Sequence, residues 1–331
     1  MNASRRIAVV AAALCLNANL AGIEVAVAQS YPNRLIKLVV PSVAGGPLDI
    51  VARTIADKLS VSLKSPFVVE NRPGAGGNIG AEVVARATPD AYTLGMVLGT
   101  TLTVNPSLYR KMPFDPDKDI RPISIVITSG TMLVVHPSIP VNSVAEFVAF
   151  AKAATTRKQP ITYASGGIGN PGHLMMEYFR GHAGFEAIHI PYRGNAPMVI
   201  DLVGGQVTAA FVATAGMIDH VQAGRLKGLG VSHASRSPLA PNVPTIAQSG
   251  YPAFTVGTYH VMIAPAGIPE GVVALLEREL KAALKLPDVI ERFRGMDTTP
   301  AGIVGAEARA RINADREAWS KVVAATNMRI D

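Results

Sequence analysis

Short β-rich apolar segments alternate with helical patterns along this sequence, and that alternation constrains the fold more than any other feature. Residues 35–40 and 67–70 are predicted to be strands, and 48–62 is predicted to be a helix because its apolar residues recur at helical spacing. Glycines lie in the loop after each strand, where the backbone must turn sharply. Repeated strand–loop–helix units predict an α/β fold with mostly parallel sheets.

The same patterns continue to the C-terminus, where the last third of the chain is predicted to be helical. The other predicted strands are 93–98, 123–128, 133–136, 161–164, 187–190, 207–213, 226–231 and 256–264. The other predicted helices are 78–87, 143–155, 172–181, 197–203, 271–284, 287–294 and 306–327.

Two polar, proline-rich segments, 115–122 and 235–244, divide this pattern, and each leads into a predicted strand. One self-contained α/β block lies between them, and a chain of 331 residues is long enough for two domains. We therefore predict that one domain is inserted into the other and joined to it by two crossing strands. Two crossings without an extensive interface between the domains predict hinge closure on a ligand.

The N-terminus has the pattern of a cleaved export signal. A pair of arginines precedes an apolar run over 7–16, and residues 26–28 fit a small-x-small cleavage motif. A membrane anchor is disfavoured because this run has only about ten residues, whereas a helix that spans a bilayer needs about 20. Lipidation of Cys15 is disfavoured because Leu14 is too large for the position before it.

Charge and cysteine content exclude several classes of protein. The formal net charge is +7, but no run of three Lys or Arg occurs, and acids alternate with bases, as in Glu277-Arg278-Glu279. A nucleic-acid footprint would be clustered, so no nucleic-acid partner is predicted. A diffusely basic surface and an anionic small ligand both remain open. The single cysteine lies in the predicted signal, which excludes a disulfide scaffold and a thiolate metal site.

Two loops at strand ends are candidates for anion binding. They are Pro41-Ser-Val-Ala-Gly-Gly-Pro-Leu-Asp49 and Ala164-Ser-Gly-Gly-Ile-Gly-Asn-Pro-Gly-His173, and each follows an apolar strand and leads into a helix. Ligands of open α/β sheets bind at the carboxyl ends of strands, and N–H groups at helix N-termini favour anions. Alternatively, both are ordinary tight turns, and composition does not decide between the two interpretations.

The second loop also contains a G-x-G-x-x-G spacing, at Gly167, Gly169 and Gly172. A dinucleotide site is disfavoured because Glu186, the acid nearest to the expected spacing of about 20 residues, precedes the next strand instead of ending it. No G-x-S-x-G, H-E-x-x-H or Walker A motif occurs, and the histidines lack metal-ligand spacing. His173 is predicted to hydrogen-bond a backbone carbonyl and so to hold its loop. We predict no enzyme activity, no metal and no cofactor.

A series of motifs, in order, covers essentially the whole chain after the predicted signal. The motifs are Tyr31-Pro32 with Ile36-Lys37, Pro41 to Asp49, Glu70-Asn-Arg-Pro-Gly-Ala-Gly-Gly-Asn-Ile-Gly80, Asn105-Pro-Ser-Leu-Tyr109, Tyr163-Ala-Ser-Gly-Gly-Ile-Gly169 with His173-Leu174, Pro191-Tyr-Arg-Gly194, Pro244-Thr-Ile246 and Ala264-Pro-Ala-Gly267. In this set the chain resembles the substrate-binding proteins of tripartite tricarboxylate transporters, the Bug family.

The resemblance implies a two-lobed type II periplasmic binding protein, or Venus flytrap, with two crossing hinge strands. Each lobe would be a mixed sheet flanked by helices, one formed by 29–127 with 255–331 and the other by 128–254, after a signal peptide at 1–28. A small carboxylate would bind between the lobes. The implied partners are the membrane components of a tripartite transporter or a sensor protein, with the chain itself a periplasmic monomer. The alternative is a secreted hydrolase or dinucleotide-dependent enzyme on the same scaffold.

The resemblance also implies which residues bind the ligand. Backbone N–H groups of Ala44, Gly45 and Gly46 from the first lobe, and of Ser165, Gly166 and Gly167 from the second, would hold one carboxylate together with ordered waters. Further candidates lie in or near the cleft: Ser42, Asp49, Thr101, Gly169, His173, Tyr192, Gly194 and Val212. Asp49 either contacts the ligand or braces its own loop, and the Ser165 hydroxyl is a further candidate donor to the carboxylate.

Three departures from the family pattern bear on the identity of the ligand. Ser42 stands where an aromatic or bulky residue is usual, and Tyr259-His260-Val261 replaces a Trp-aromatic-Gly stretch. Phe211-Val212-Ala213 replaces Phe-Asp-Asn. The loss of that acid argues against an amino-acid ligand, because an ammonium group would need a carboxylate partner.

Overall fold

A computed structural model describes residues 31–232, 235–252, 254, 257–326 and 328–330. The predicted signal peptide and its cleavage site lie outside the described residues. The strands, in chain order, are β1 (Ile36–Val40), β2 (Phe67–Asn71), β3 (Thr93–Leu98), β4 (Ile120–Ser129), β5 (Thr131–Val135), β6 (Ile161–Ser165), β7 (Ala187–Pro191), β8 (Ala209–Ala213), β9 (Lys227–Val231), β10 (Thr258–Pro265) and β11 (Thr298–Val304).

The helices, in chain order, are α1 (Pro47–Ser62), α2 (Asn78–Ala85), α3 (Gly99–Thr103), α4 (Asn105–Leu108), α5 (Val144–Thr156), α6 (Pro171–Ala183), α7 (Asn195–Val203), α8 (Thr214–Gln222), α9 (Glu270–Ala283), α10 (Pro287–Arg294) and α11 (Gly305–Thr326). No helix among the described residues is both long enough and apolar enough to cross a membrane.

These strands form two mixed sheets, as predicted for the two lobes. The six-stranded sheet has the order β11-β4-β10-β3-β1-β2, and the five-stranded sheet has the order β7-β6-β8-β5-β9. Strands β1, β2 and β3 are parallel, as are β6, β7 and β8, whereas the strands at and after the crossings pair in the antiparallel sense. The expectation of mostly parallel sheets, drawn from the alternating pattern alone, is therefore wrong for about half of each sheet.

The chain crosses between the sheets at two adjacent points. Gly130 is the single residue between β4 of the six-stranded sheet and β5 of the five-stranded sheet, and β10 returns the chain to the six-stranded sheet. At the crossing, Thr258 pairs with Ser129, and the two side-chain hydroxyl oxygens lie 2.7 Å apart. The prediction of two crossing strands is confirmed, and the two strands are hydrogen-bonded neighbours.

The elements that the sequence patterns miss are the short helices α3 and α4, helix α8, and strand β11. Strand β11 lies in the C-terminal third, which was predicted to be helical, and it contains Pro300 and Gly302. Both residue types weaken a central strand, but β11 is an edge strand whose pairing with β4 is interrupted between Pro300 and Ile303. The edge position explains why a strand forms without a strand-like sequence.

The apolar core of the five-stranded sheet extends into helix α11, which follows the last strand of the other sheet. Trp319 and Val323 of α11 belong to the same buried cluster as Phe179 and Phe211. The ring of Trp319 lies 5.6 Å from that of Tyr178 on α6. Helix α11 therefore packs apolar residues against both predicted lobes, in addition to the two crossing strands.

Candidate functional site

A cavity of about 350 Å³ lies between the two sheets, at the carboxyl ends of their parallel strands. Loops after β1, β2, β3 and β6 contribute to its wall, which is where ligands bind in open α/β sheets. Among its described lining residues none has a charged side chain; the polar ones are Thr100, Thr101, Asn105, Tyr109 and Asn170. We call this space the cleft cavity.

The loop after β6 is held in place by its own side chains. The Ser165 hydroxyl donates to Gly167 O at 3.0 Å and accepts from Gly167 N at 3.2 Å, and it also lies 2.7 Å from Nε2 of His189. Gly169 N donates to Nδ1 of His173 at 3.1 Å. The backbone of this loop is therefore organised before any ligand binds.

The predicted donors of this loop need correction. Gly167 N–H and the Ser165 hydroxyl are already paired with each other, so neither is a free donor in this conformation. Gly166 and Ile168 both line the cleft cavity, and within the described residues their N–H groups donate to no protein acceptor. Of the predicted N–H groups, that of Gly166 is therefore available to a ligand and that of Gly167 is not, while the N–H group of Ile168, which was not predicted, is also available.

The G-x-G-x-x-G spacing has a structural explanation. Gly167 and Gly169 have φ of 132° and 75°, which disfavour any residue with a Cβ atom. Gly172 lies where an added Cβ would come within 2.3 Å of Phe211 O, so only glycine lets α6 approach β8 this closely. Gly167 and Gly169 serve the backbone of a tight turn and Gly172 serves helix packing, and none of the three requires a dinucleotide.

Three stacked rings support this loop from within the second lobe. Tyr163 lies 4.8 Å from His189, and His189 lies 3.9 Å from His173, measured between ring centroids. Burial, reinforced by the neighbouring His189, lowers the pKa of His173 to about 4, so the ring is neutral at physiological pH. The predicted bond from His173 to a carbonyl is wrong: its Nδ1 accepts a backbone N–H instead.

The stack ends on a buried ion pair on α6. Tyr163 donates its hydroxyl to Glu177 at 2.5 Å, and Arg180 donates to the same carboxylate at 2.7 Å. Burial alone would raise the pKa of Glu177, but the bonds from Arg180 and Tyr163 outweigh it and lower that pKa. Tyr163, Glu177 and Arg180 are thus hydrogen-bonded to one another beneath the loop that lines the cleft cavity.

Asp49 is an internal brace of the first loop. Its carboxylate, 2% exposed, accepts from Gly45 N at 2.8 Å, from Asn71 Nδ2 at 2.8 Å and from Arg53 Nε at 2.9 Å. Burial alone would raise its pKa, but bonds from Arg53, Gly45 and Asn71 lower it to about 2. Of the two roles that the sequence left open, the structure favours the brace.

The other predicted residues of the first loop lie at the edge of the cleft. Ser42, Ala44, Gly45 and Gly46 are absent from the walls of the cleft cavity, and Ala44 and Gly45 are exposed. Gly45 N is paired with Asp49, and Gly46 N lies 3.4 Å from Val43 O, so these two predicted donors are occupied. Pro41 and Leu48 are the residues of this loop that line the cleft cavity.

The remaining candidates are divided between the cavity walls and their supports. Thr101 and Gly169 line the cleft cavity. Tyr192 donates its hydroxyl to Asp201 at 2.6 Å, and Gly194 N donates to Gly166 O at 3.1 Å, so both support neighbouring segments. Val212 lines a second, smaller cavity of about 160 Å³ beside the crossing strands, which we call the hinge cavity.

Several lining residues were not predicted as ligand contacts. Asn105 donates its side-chain N–H to Asn78 Oδ1 at 2.7 Å and to Gly76 O at 3.0 Å, and it lines the cleft cavity with Tyr109. Both lie in the Asn105-Pro-Ser-Leu-Tyr109 motif, which indicated the family resemblance but did not indicate that these residues line the ligand cavity. No group of His, Cys, Asp and Glu in the described part of the chain is arranged to hold a metal ion.

Two mixed α/β sheets with a cavity between their strand ends define a two-lobed solute-binding protein. The chain matches the family described as "Tripartite tricarboxylate transporter family receptor" over residues 51–328, and it belongs to that family. It is 33% identical to Protein BugT of Bordetella pertussis over 332 residues, covering 100% of both chains.

Solved structures of relatives share this fold. The periplasmic binding protein BugD has 32% identity and a TM-score of 0.72, covering 91% of this chain and 100% of BugD. An R. palustris protein with adipate has 31% identity and a TM-score of 0.76, and the match covers 91% of this chain and 100% of that protein. MatC from Rhodopseudomonas palustris with bound malate has 28% identity, a TM-score of 0.71, and 88% and 100% coverage. The chain is a solute-binding receptor, so the secreted-enzyme alternative is excluded.

Proposed function

We propose that this receptor binds a small carboxylate in the cleft cavity and delivers it to a membrane partner. The observation that carries the proposal is the pair of N–H groups, of Gly166 and Ile168, that have no acceptor among the described residues and lie on an ordered loop of the cavity wall. Successive backbone N–H groups of a turn form a concave site for an anion. The hydroxyl of Thr100 adds a neutral donor to the same cavity, whereas the Thr101 hydroxyl and the Asn105 amide N–H groups already donate within the protein.

A neutral donor set suits a receptor that must also release its ligand. Each N–H group carries a partial positive charge, so several of them replace part of the hydration of a carboxylate. A buried lysine or arginine would give a stronger pair, and breaking such a pair is costly. The absence of charged side chains among the described residues of this wall therefore favours reversible capture.

The ligands of two relatives support the carboxylate class. Adipate is a dicarboxylate seen with the R. palustris relative, and malate is bound to MatC. At 31% and 28% identity these proteins share the fold of this chain, but their cavity walls need not have the same side chains. We therefore infer from these relatives the class of ligand, a small carboxylate, and not the individual acid.

The proposed partners are the membrane components of a tripartite tricarboxylate-type transporter or a sensor protein, and the family description supports the transporter. The proposed location is the periplasm, reached through cleavage of the signal at 1–28. We propose that the mature chain acts as a monomer in which residues 128–254 form the inserted lobe, joined to 29–127 and 255–331.

Calorimetry and thermal denaturation against a panel of mono- and dicarboxylates test the ligand class, because a ligand of the native state raises its stability. Thr100, half-buried in the cavity wall, offers a matched pair of variants. Thr100→Asp introduces a negative charge and should weaken binding of every acid by about tenfold or more. Thr100→Asn introduces a side chain of the same shape as aspartate but without its charge, and its affinity for each acid should stay within about threefold of that of the natural protein. Equal loss in both variants, or no binding of any acid, would contradict the proposal.

A further inference from the structure

The hinge cavity adjoins the cleft cavity, since Leu98, Asn170 and Pro171 line both. Its volume of about 160 Å³ has room for roughly five non-hydrogen atoms, because a water molecule occupies about 30 Å³ in the liquid. A ligand held by its carboxylate in the cleft cavity could therefore place its other end here.

His260 projects from β10 into this space. It pairs with Leu98 of β3 in the antiparallel register, so the two side chains share the face of the sheet that borders both cavities. Its neighbour Tyr259 points to the opposite face and packs in the core. The His260 side chain is 4% exposed, and Nδ1 is buried with no hydrogen-bond partner among the described residues. A buried polar atom without a partner is costly, which marks this ring as a place for a ligand group.

The other polar side chains at the crossing already have partners. The hydroxyls of Ser129 and Thr258 hydrogen-bond to each other, and Thr131 Oγ1 lies 3.2 Å from Ser232 Oγ. Burial lowers the pKa of His260 to about 3, so its ring is neutral at physiological pH. No described residue lining the hinge cavity has a charged side chain. An ammonium or a second carboxylate buried here would lack an oppositely charged partner, whereas a hydroxyl or carboxamide needs only a hydrogen bond.

We infer that His260 is a specificity-determining residue that receives an uncharged hydroxyl or carboxamide at the ligand end farthest from the bound carboxylate. The inference rests on the proposed carboxylate function and narrows it to ω-hydroxy or ω-amide monocarboxylates. Either tautomer of the imidazole suits such a group, since a hydroxyl and a carboxamide both donate and accept hydrogen bonds.

The experiment is calorimetry with acids of equal chain length, at four and six carbons, that end in a methyl, hydroxyl, carboxamide, carboxylate or ammonium group. We expect the hydroxyl or carboxamide acid to bind about tenfold more tightly than the methyl acid, and more tightly than either charged acid. His260→Leu removes the ring nitrogens and should erase this advantage while the affinity for the methyl acid stays within about threefold.

His220→Leu is the matched control, because His220 also has a buried Nδ1 without a partner among the described residues but lies outside the walls of both cavities. This control should keep the hydroxyl preference, and thermal melting should establish that both variants are folded. A natural protein that prefers the dicarboxylate, or a His260→Leu variant that keeps the preference, would overturn the inference and leave the carboxylate function standing. A natural protein that binds none of the acids would overturn both. If His260→Leu fails to fold, His260→Phe replaces it with the same expectation.

Discussion

The imidazole rings of His173 and His189 lie almost parallel, with centroids 3.9 Å apart and an angle of 7° between their planes. One ring comes from α6 and the other from β7, and each hydrogen-bonds the loop that lines the cleft cavity: His173 through Gly169 N and His189 through the Ser165 hydroxyl. Two positive rings this close would repel each other, so the loop depends on neutral histidines. Stability and binding should therefore respond to pH.

Native stability should fall as the pH is lowered from about 6.5 to about 4. The pKa of His173 is lowered from 6.5 to about 4 by burial and by His189, so the unfolded chain takes up protons before the native protein does. The contribution of His173 to this loss should approach about 3 kcal/mol. His189 and His260, whose pKa values burial also lowers, add to the loss in the same range. Urea unfolding at several pH values measures it. His173→Gln should remove the His173 contribution and make the profile less steep, and an unchanged profile would contradict a role for His173.

Asp49→Asn should lower stability at neutral pH by about 2 kcal/mol, because the pKa of Asp49 is lowered from 3.8 to about 2 in the native protein. This contribution is present above pH 4 and is lost as the pH falls toward 2. Because Asp49 braces its loop, its replacement should weaken binding of all acids by a similar factor. Asp57→Asn, at an exposed position on the same helix, is the control and should change neither quantity. An effect confined to ligands with a hydroxyl or amide would instead place Asp49 in contact with the ligand.

Ser165→Ala should reduce the affinity for every carboxylate by a common factor of about five to ten, since one hydrogen bond contributes about 1 kcal/mol. The cause would be a looser loop, because the hydroxyl is engaged with Gly167 and His189. His189→Phe keeps the ring stack but removes the nitrogen that meets the hydroxyl, and it should reproduce the effect. Calorimetry on both variants decides the matter: a loss for Ser165→Ala alone would assign the hydroxyl to the ligand.

Ligand binding should close the lobes about the crossing at Ser129 and Thr258, with a smaller radius of gyration by small-angle scattering. Trp319, 4% exposed and packed on Tyr178, joins α11 to α6. Trp319→Ala should cost about 3–5 kcal/mol of stability and enlarge the ligand-free radius. Trp319→Phe preserves part of the packing, so its stability and its ligand-free radius should fall between those of the natural protein and of Trp319→Ala. A radius that does not change at ligand saturation would indicate a rigid cleft.

Local patterns were sufficient for most individual elements. Helix α1 and strand β1 were predicted within two residues, because the apolar period reports which face of a segment is buried. The predicted start of helix 143–155 was also correct, since Ser143 caps α5 and accepts from Glu146 N at 3.1 Å. Strand β11 was missed because its stability comes from pairing with β4, and an edge position tolerates Pro300.

The sequence by itself determined the α/β class, the two crossings, the family, and the two loops that flank the cleft. Only the tertiary structure decided which atoms of those loops are free to bind. The reason is that a hydrogen bond depends on partners distant in the sequence: Asn71 with Asp49, and His189 with Ser165, each from the neighbouring strand or loop. The same holds for His260, whose buried Nδ1 lacks a partner within the part of the chain that the structure describes, because of the strand that lies beside it and not because of any pattern in the sequence.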